Sequence, residues 1–119
     1  SMLAKEMWKR GLRYRKNNKT VFGKPDFTFK KFKIAIFVDG EFWHGKDWEI
    51  KKHDHKSNHD FWYTKIERNI KRDEEVNSFL LNEGWTLLRF WGQDIKKDLL
   101  NCIFKIEKTI NEATRKHFT

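Results

Sequence analysis

The chain has 119 residues, 38% of them hydrophobic and 16% aromatic, with a formal net charge of +9. This length allows one domain with a single core, and no apolar run approaches the length of a membrane-spanning helix. The single cysteine, Cys102, excludes an internal disulfide bond and is typical of a reducing compartment.

The first 40 residues are predicted to form one helix and then three strands. The helix covers residues 3–10 and ends at Gly11, because glycine is common at helix C-termini. Alternating or continuous apolar residues predict the strands and a tight turn. The strands are expected over residues 12–16, 26–29 and 33–39, with a loop over 17–24 and the turn at Lys30 and Lys31.

The rest of the chain is predicted to contain two helices and one strand. A long polar loop over residues 45–58 precedes a helix over 59–82, a strand over 85–91 and a last helix capped by Asp94. We therefore expect a single α/β domain over residues 1–119, in which helices flank a mixed sheet in the order α-β-β-β-α-β-α.

The helix over residues 59–82 has a polar break in its apolar stripe. Steps of three and four residues give the series Trp62, Ile66, Asn69, Asp73, Val76 and Leu80. Buried polar groups are costly without partners. Either the stripe is rotated, with Asp73 paired to Arg72 or Lys65 at the surface, or Asn69 and Asp73 point into a functional cavity.

Acidic residues stand at the ends of two predicted strands. Asp26 enters one strand, and Asp39 ends the next one, five residues before His44. Oxygen ligands suit Mg²⁺, so Asp26 and the backbone carbonyl of Val38 are candidate ligands, and Asp39 is a ligand or orients a water. Histidine titrates near neutrality, which makes His44 a candidate general base or acid. A turn cap for Asp26 and a surface position for His44 are the alternatives.

The polar loop is rich in histidine but does not predict a zinc site. His53, His55, His59 and Asp54 match no standard structural spacing, and the chain has only one cysteine. A solvated loop is the simpler interpretation.

Residues 5–33 carry eleven Lys or Arg residues against only Glu6 and Asp26. This charge is the footprint of a phosphate-backbone partner, although a lysine-rich soluble surface is the alternative. Aromatic residues beside it are candidates for stacking on bases or for core packing. The candidate DNA-binding residues are Arg13, Arg15, Lys16, Lys24, Phe42, Trp43 and Trp62.

Nine segments spread over nearly the whole chain resemble the very short patch repair endonucleases. They are residues 12–15, 23–26, 34–40, 42–45, 61–62, 65–66, 69, 72–73 and 84–91. The resemblance implies a PD-(D/E)XK-type fold and Mg²⁺-dependent nicking of DNA beside a T:G mismatch. It also implies that Asp26 binds the metal, that His44 is catalytic, and that Phe42, Trp43 and Trp62 intercalate at the mismatch.

The chain departs from this family at several positions. The family's structural zinc ligands correspond to Glu41, Lys46, Trp48 and Gln93 here, so no structural zinc is expected. Asp39 stands where the family has a histidine. The glutamate of the family's first helix would fall at or before Ser1, and Glu6 is a weak substitute.

A zinc-less chain of this kind resembles the EDxHD group of homing endonucleases, from mobile introns and inteins. Asp26, His44 and Asp73 match the last three residues of that motif, with Asn69 in support. The resemblance implies an excised catalytic domain, with Ser1-Met2 left from cloning and DNA-binding modules elsewhere in the natural protein. We expect a bacterial or bacteriophage-encoded, cytoplasmic enzyme acting on double-stranded DNA, with no membrane partner.

Three alternatives remain open beside the homing enzyme. They are a T:G mismatch-nicking repair enzyme, a DNA-binding module without catalysis and, on charge alone, an RNA-binding protein. A homodimer or tetramer is also left open, because concerted cutting of both strands by a single-site nuclease requires two copies.

Overall fold

A four-stranded mixed sheet organises the computed structural model, which describes residues 1–52 and 59–118. The strands lie in the spatial order β1-β2-β3-β4, with antiparallel pairing between β1 and β2 and between β2 and β3. β3 and β4 are parallel, in a register that pairs Ile34 with Thr86 and Asp39 with Trp91. The strands are β1 (Arg15–Lys16), β2 (Phe27–Phe29), β3 (Ile34–Asp39) and β4 (Thr86–Trp91).

Five helices accompany the sheet in the described residues, and all but the four-residue helix contribute apolar side chains to its two cores. None of these helices has both the length and the apolar character required to cross a bilayer. The helices are α1 (Met2–Lys9), α2 (Trp48–Lys51), α3 (His59–Asn82), α4 (Gly92–Lys97) and α5 (Leu99–Phe118).

The sheet has a hydrophobic core on each face, because successive side chains of β3 point in opposite directions. Ile34 and Ile36 pack with residues of α1, β2 and α5, among them Met7 and Ile103, which are fully buried. Ala35 and Phe37 pack on the other face, against Val76 and Leu80 of α3. A strand buried on both faces explains the continuous apolar run 34–38.

The mixed sheet with flanking helices agrees with the prediction, whereas the element order α-β-β-β-α-β-α does not. The observed order is α-β-β-β-α-α-β-α-α, because α2 forms within the predicted polar loop and the last predicted helix is two helices. Asp98 interrupts it with non-helical angles, and its carboxylate accepts the Asn101 N–H (3.2 Å), which caps α5. Asp94 lies in the first turn of α4 instead of capping it.

Two local predictions in the first half also need correction. The strand predicted over residues 12–16 pairs only at Arg15 and Lys16, so β1 is short. The turn at Lys30 and Lys31 is one turn of 3₁₀ helix, Lys30–Phe32, which ends at Lys33 in the left-handed conformation. Short 3₁₀ turns are common connectors of this kind.

Residues 40–47, which we call the 40–47 loop, lead from the end of β3 toward α3. The loop is closed by backbone hydrogen bonds from His44 N–H to the Gly40 carbonyl (3.0 Å) and from Lys46 N–H to the Glu41 carbonyl (2.9 Å). Gly45 has a φ of +67° and lies against the Ile66 and Ile70 side chains, so the loop approaches α3 closely where only glycine fits.

Candidate active site

The end of β3, the 40–47 loop and α3 bring three titratable side chains together. The His44 Nδ1 lies 2.7 Å from the Asp73 Oδ2 and 3.8 Å from the Asp39 Oδ1. An ionised carboxylate only accepts, so the imidazole N–H donates to Asp73. A cleft of about 240 Å³ is lined by this group together with Asn77 and Arg89.

Arg89 on β4 and its partner Asn77 on α3 are residues of this site that the sequence analysis missed. The contacts of Arg89 are the more extensive. Its Nη1 donates to both carboxylate oxygens of Asp39 (3.1 and 3.0 Å) and lies 3.7 Å from the Asp73 Oδ1. Its Nε donates to the Asn77 Oδ1 (2.8 Å), and the guanidinium stacks over the Phe37 ring at 4.1 Å. The available signal was a lone cation within an apolar strand, residues 87–91.

Asp39 is the most buried member of the group, with an exposed fraction of 6%. Burial raises the pKa of its carboxyl above the ordinary value, while the charges of Arg89 and His44 pull it down and the nearby Asp73 carboxylate adds to the rise. Desolvation outweighs these attractions, so the net effect is a raised pKa for the Asp39 carboxyl.

Asp26 lies at the start of β2, apart from this group. Its Oδ2 accepts the Val38 backbone N–H at 2.7 Å, so the carboxylate sits beside the Val38 peptide of the neighbouring strand. The structure thus brings together the two residues predicted to share a metal. This carboxylate and the Val38 carbonyl are oxygen donors, which suit Mg²⁺.

A second donor set suits a divalent ion in composition. Ligand atoms of Asp39, His44 and Asp73 all lie within 4.8 Å of one another. Asp26 is not part of that group in the described residues. Arg89 already places a positive charge against two of its three members, which opposes binding of a further cation there.

Asn69 connects the 40–47 loop to α3. Its side-chain amide donates to the Trp43 carbonyl oxygen at 2.9 Å. Asn69 and Asp73 are four residues apart and therefore lie on one side of α3. The polar break in the helix stripe faces the loop that carries His44, and Asp73 is paired with that histidine.

Four aromatic rings form a cluster beside the site, which we call the aromatic cluster: Phe42, Trp43, Phe61 and Trp62. Trp43 and Trp62 meet edge to face with centroids 5.3 Å apart, and Phe42 contacts both rings. Phe42 and Trp43 are each 41% exposed, and the Lys65 ammonium lies over Trp43 at 5.4 Å. An exposed aromatic surface with a cation at its edge suits contact with nucleobases.

The predicted phosphate-binding residues lie at different places on the N-terminal third. Arg15 and Lys16 are exposed on β1, and Lys24 is exposed in a left-handed turn. Arg13 stacks on Trp8 at 3.6 Å and donates to the Trp8 carbonyl, so part of its role is structural.

Glu6 is paired with Arg10 on α1 (2.8 Å) and does not belong to the carboxylate–histidine group. The hydrogen bond from the Arg10 side chain is the main cause that holds the Glu6 pKa below its usual value.

The positions that the resemblance matches to the family's zinc ligands make other contacts in this structure. Glu41 accepts the Gln93 backbone N–H (2.8 Å), the Lys46 ammonium lies over Trp91 at 5.9 Å, and Trp48 is buried. A carboxylate–amide contact thus joins the 40–47 loop to the first turn of α4. His53, Asp54 and His55 lie outside the described residues, as does the side chain of His59.

Comparison with known proteins places the chain in a family. The family model of the DNA mismatch endonuclease Vsr matches residues 1–50. The type II nicking enzyme V.HpaIIP of Haemophilus parainfluenzae is 56% identical over 111 residues, which is 93% of this chain and 79% of the relative. V.NmeDIP of Neisseria meningitidis serogroup C is 57% identical over 92% of this chain and 74% of its own.

The DNA mismatch endonuclease Vsr of Escherichia coli K12 is a more distant relative, 33% identical over 75% of this chain and 56% of its own. These relatives define the class of the protein, a DNA endonuclease and hence a hydrolase. Within that class, the chain belongs to the Vsr-like family. The mixed sheet with its helices fits the fold of this family, whose members generally depend on a divalent metal ion.

Proposed function

We propose that the protein is a Mg²⁺-dependent endonuclease that nicks one strand of duplex DNA at a T:G mismatch. The observation that carries this proposal is the Asp39–His44–Asp73 group, which lies beside the aromatic cluster. The names of the relatives support nicking, and that of the Escherichia coli relative supports action at a mismatch. They lend no support to the homing-endonuclease role, since the relatives compared are named as nicking or mismatch enzymes.

In this proposal Asp26 and the Val38 carbonyl would hold the metal, and Asp39 would orient a water. A divalent ion would supply charge stabilisation for the phosphate and a more acidic water. The hydrogen bond that the Val38 N–H donates to Asp26 holds the carboxylate at the edge of the sheet where β3 ends. We also propose that the fold is of the PD-(D/E)XK type and that residues 1–119 form a single nuclease domain.

His44 is the general base or acid in this proposal. Its Nδ1 is occupied by Asp73, which fixes the neutral tautomer that carries its proton there and leaves Nε2 to accept or donate. A carboxylate behind the imidazole also stabilises the imidazolium formed during proton transfer, as in other histidine–carboxylate pairs. Asn69 supports this arrangement, because it holds the Trp43 peptide next to His44.

The DNA contacts divide into a charged and an aromatic part. Arg13, Arg15, Lys16 and Lys24 would contact phosphates, whose neutralisation makes binding salt-dependent. The aromatic cluster would wedge into the base stack, which costs least at a mismatched pair. One active site is enough to nick one strand, so the proposal needs no dimer.

The test compares cleavage of two duplexes that differ only in carrying a T:G or a T:A pair, in Mg²⁺ and in EDTA. We expect Mg²⁺-dependent nicking of one strand of the T:G duplex, abolished by Asp26→Asn with DNA binding and folding retained. Asp94→Asn, which removes an exposed carboxylate on α4, is the matched control and should cleave normally.

Other results of the same assay favour other functions. Cleavage of both strands without preference for the mismatch would favour a homing-type enzyme. Salt-sensitive DNA binding with no nick under any metal condition would favour a binding module without catalysis. Full cleavage by Asp26→Asn would exclude the proposed metal role of Asp26.

A further inference from the structure

We propose that Arg89 is a positioning residue of the nicking reaction, which holds Asp39 beside the His44–Asp73 pair and supplies the cation that keeps these acidic groups together. This inference rests on the proposed function, in which Asp39 and His44 act at the reacting phosphate. It is carried by the contacts of Arg89 and by the way β4 delivers its side chain to the site.

The position of Arg89 follows from the parallel pairing of β3 with β4. Arg89 is the register partner of Phe37, two residues before Asp39 at the end of β3. Side chains two residues apart in a strand share a face, so Phe37, Asp39 and Arg89 lie on the same side of the sheet as α3. Asp73 and Asn77 face them from that helix, one turn apart.

Arg89 is held on several sides. The Asn77 amide oxygen accepts from its Nε, the Phe37 ring lies under the guanidinium, and both Asp39 oxygens accept from Nη1. With only 21% of its side chain exposed, Arg89 has little freedom to leave this arrangement. Because Arg89 is anchored in this way, its guanidinium fixes the orientation of the Asp39 carboxylate and holds a positive charge beside it.

The acidic groups of the site need such a cation. Asp39 and Asp73 both approach the His44 Nδ1, and the Asp39 side chain is only 8% exposed. A buried carboxylate without a partner is strongly unfavourable, and two carboxylates around one imidazole repel each other. Arg89 Nη1 contacts one of them and lies within ion-pair distance of the other.

Lysine would not replace Arg89 fully. The guanidinium offers a rigid fork of donors, and here Nε and Nη1 serve Asn77 and Asp39 at the same time. A lysine ammonium is a single point charge on a flexible stem, so it would keep the charge and lose the dual anchoring. Arg89→Lys therefore tests the orienting role of Arg89 while the positive charge is kept.

The experiment measures single-turnover nicking of a T:G duplex by the full chain, together with its dissociation constant for that duplex. We expect Arg89→Ala to slow nicking by about 10- to 100-fold, as is usual for a residue that orients a catalytic group, with unchanged DNA affinity. Added guanidinium ion should restore part of the rate. Arg115→Ala, at an exposed position on α5, is the control and should keep the normal rate without any response to guanidinium.

A double-mutant cycle tests whether Arg89 acts through Asp39. If it does, Asp39→Asn combined with Arg89→Ala should be no slower than the slower single variant, since one interaction cannot be lost twice. Additive losses, or a normal rate in Arg89→Ala, would overturn the inference. If Arg89→Ala does not fold, Arg89→Lys and Asn77→Ala carry the test, and normal rates in both would overturn it.

A readout that does not depend on activity separates this inference from the proposed function. In ¹H–¹⁵N spectra of the imidazole groups, with the His44 signal assigned through His44→Gln, the signal should shift in Arg89→Lys and Asn77→Ala. It should not shift in Arg115→Ala. No nicking by the unaltered chain would contradict the proposed function, whereas an unshifted His44 signal would contradict the role of Arg89.

Discussion

His44 and Asp73 are 29 residues apart in the chain, yet the His44 Nδ1 lies 2.7 Å from the Asp73 Oδ2. Their contact joins the 40–47 loop to the middle of α3 and explains why an acid interrupts the apolar stripe of that helix. An imidazole oriented by a carboxylate is a common arrangement for proton transfer. In the proposed function, proton transfer by His44 therefore depends on how this pair is held.

Removing the imidazole should slow catalysis strongly without weakening DNA binding. We expect His44→Ala to lose about 10²- to 10⁴-fold in single-turnover rate, the usual contribution of a general acid or base. Asp73→Asn should reduce the rate less, because the imidazole remains but its tautomer is no longer set by a carboxylate. His44→Ala with an unchanged rate would contradict the proposed role, and Asp94→Asn serves again as the control.

Gly45 should be much less tolerant of a side chain than Gly11, although both have positive φ values of 67° and 81°. Alanine costs about 1 to 2 kcal/mol in this conformation at either site. At Gly45 the new Cβ would also collide with Ile70 and press tightly on Ile66, whereas nothing lies near it at Gly11. Overpacking adds about 1 to 3 kcal/mol.

The measurement for this pair is urea unfolding of both alanine variants and the unaltered chain. Gly45→Ala should be the less stable of the two variants. Because the residue adjoins His44, this variant should also nick more slowly. Equal stability of the two variants would mean that the 40–47 loop does not pack on α3 as described.

The pH dependence of stability should reveal the buried Asp39. Its pKa in the folded chain is raised, mainly by burial, above the value of about 3.9 for an unfolded aspartate. Between these two pKa values the folded state binds more protons, so the contribution of Asp39 to stability falls as the pH rises.

To measure this effect, urea unfolding of the unaltered chain and of Asp39→Asn is compared in EDTA, over a pH range starting at about 4. The free energy of unfolding of the unaltered chain minus that of Asp39→Asn should decrease with rising pH. A difference that increases with pH would show instead that the ion pair with Arg89 outweighs burial.

Removing an exposed ring of the aromatic cluster should reduce mismatch selectivity more than it reduces the rate of the cleavage step. Base stacking on an aromatic side chain contributes about 1 to 3 kcal/mol. Trp43→Ala should therefore lower the ratio of T:G to T:A nicking rates by about 5- to 150-fold. Phe104→Ala, which removes an exposed ring on α5, is the control and should leave the ratio unchanged.

Several features could be predicted from the sequence because they depend on local patterns. The apolar run of β3 and the long periodicity of α3 predicted these elements. The polar break at Asn69 and Asp73 left a surface position and a functional cavity open, and in the structure both residues contact the 40–47 loop. The breaks in the predicted elements were harder to see. Asp98 ends one helix and caps the next, and the four-residue helix α2 has too few residues to show a period.

Arg89 shows most clearly what the sequence by itself left undetermined. The chain determined the sheet-forming segments, the charge of the N-terminal third and the acids and histidine at strand ends, because composition and periodicity act over short distances. Only the tertiary structure decided that parallel pairing of β3 and β4 sets Arg89 beside Asp39, and that α3 adds Asp73 and Asn77. Such partners are selected by the register and packing of distant elements, which no local pattern encodes.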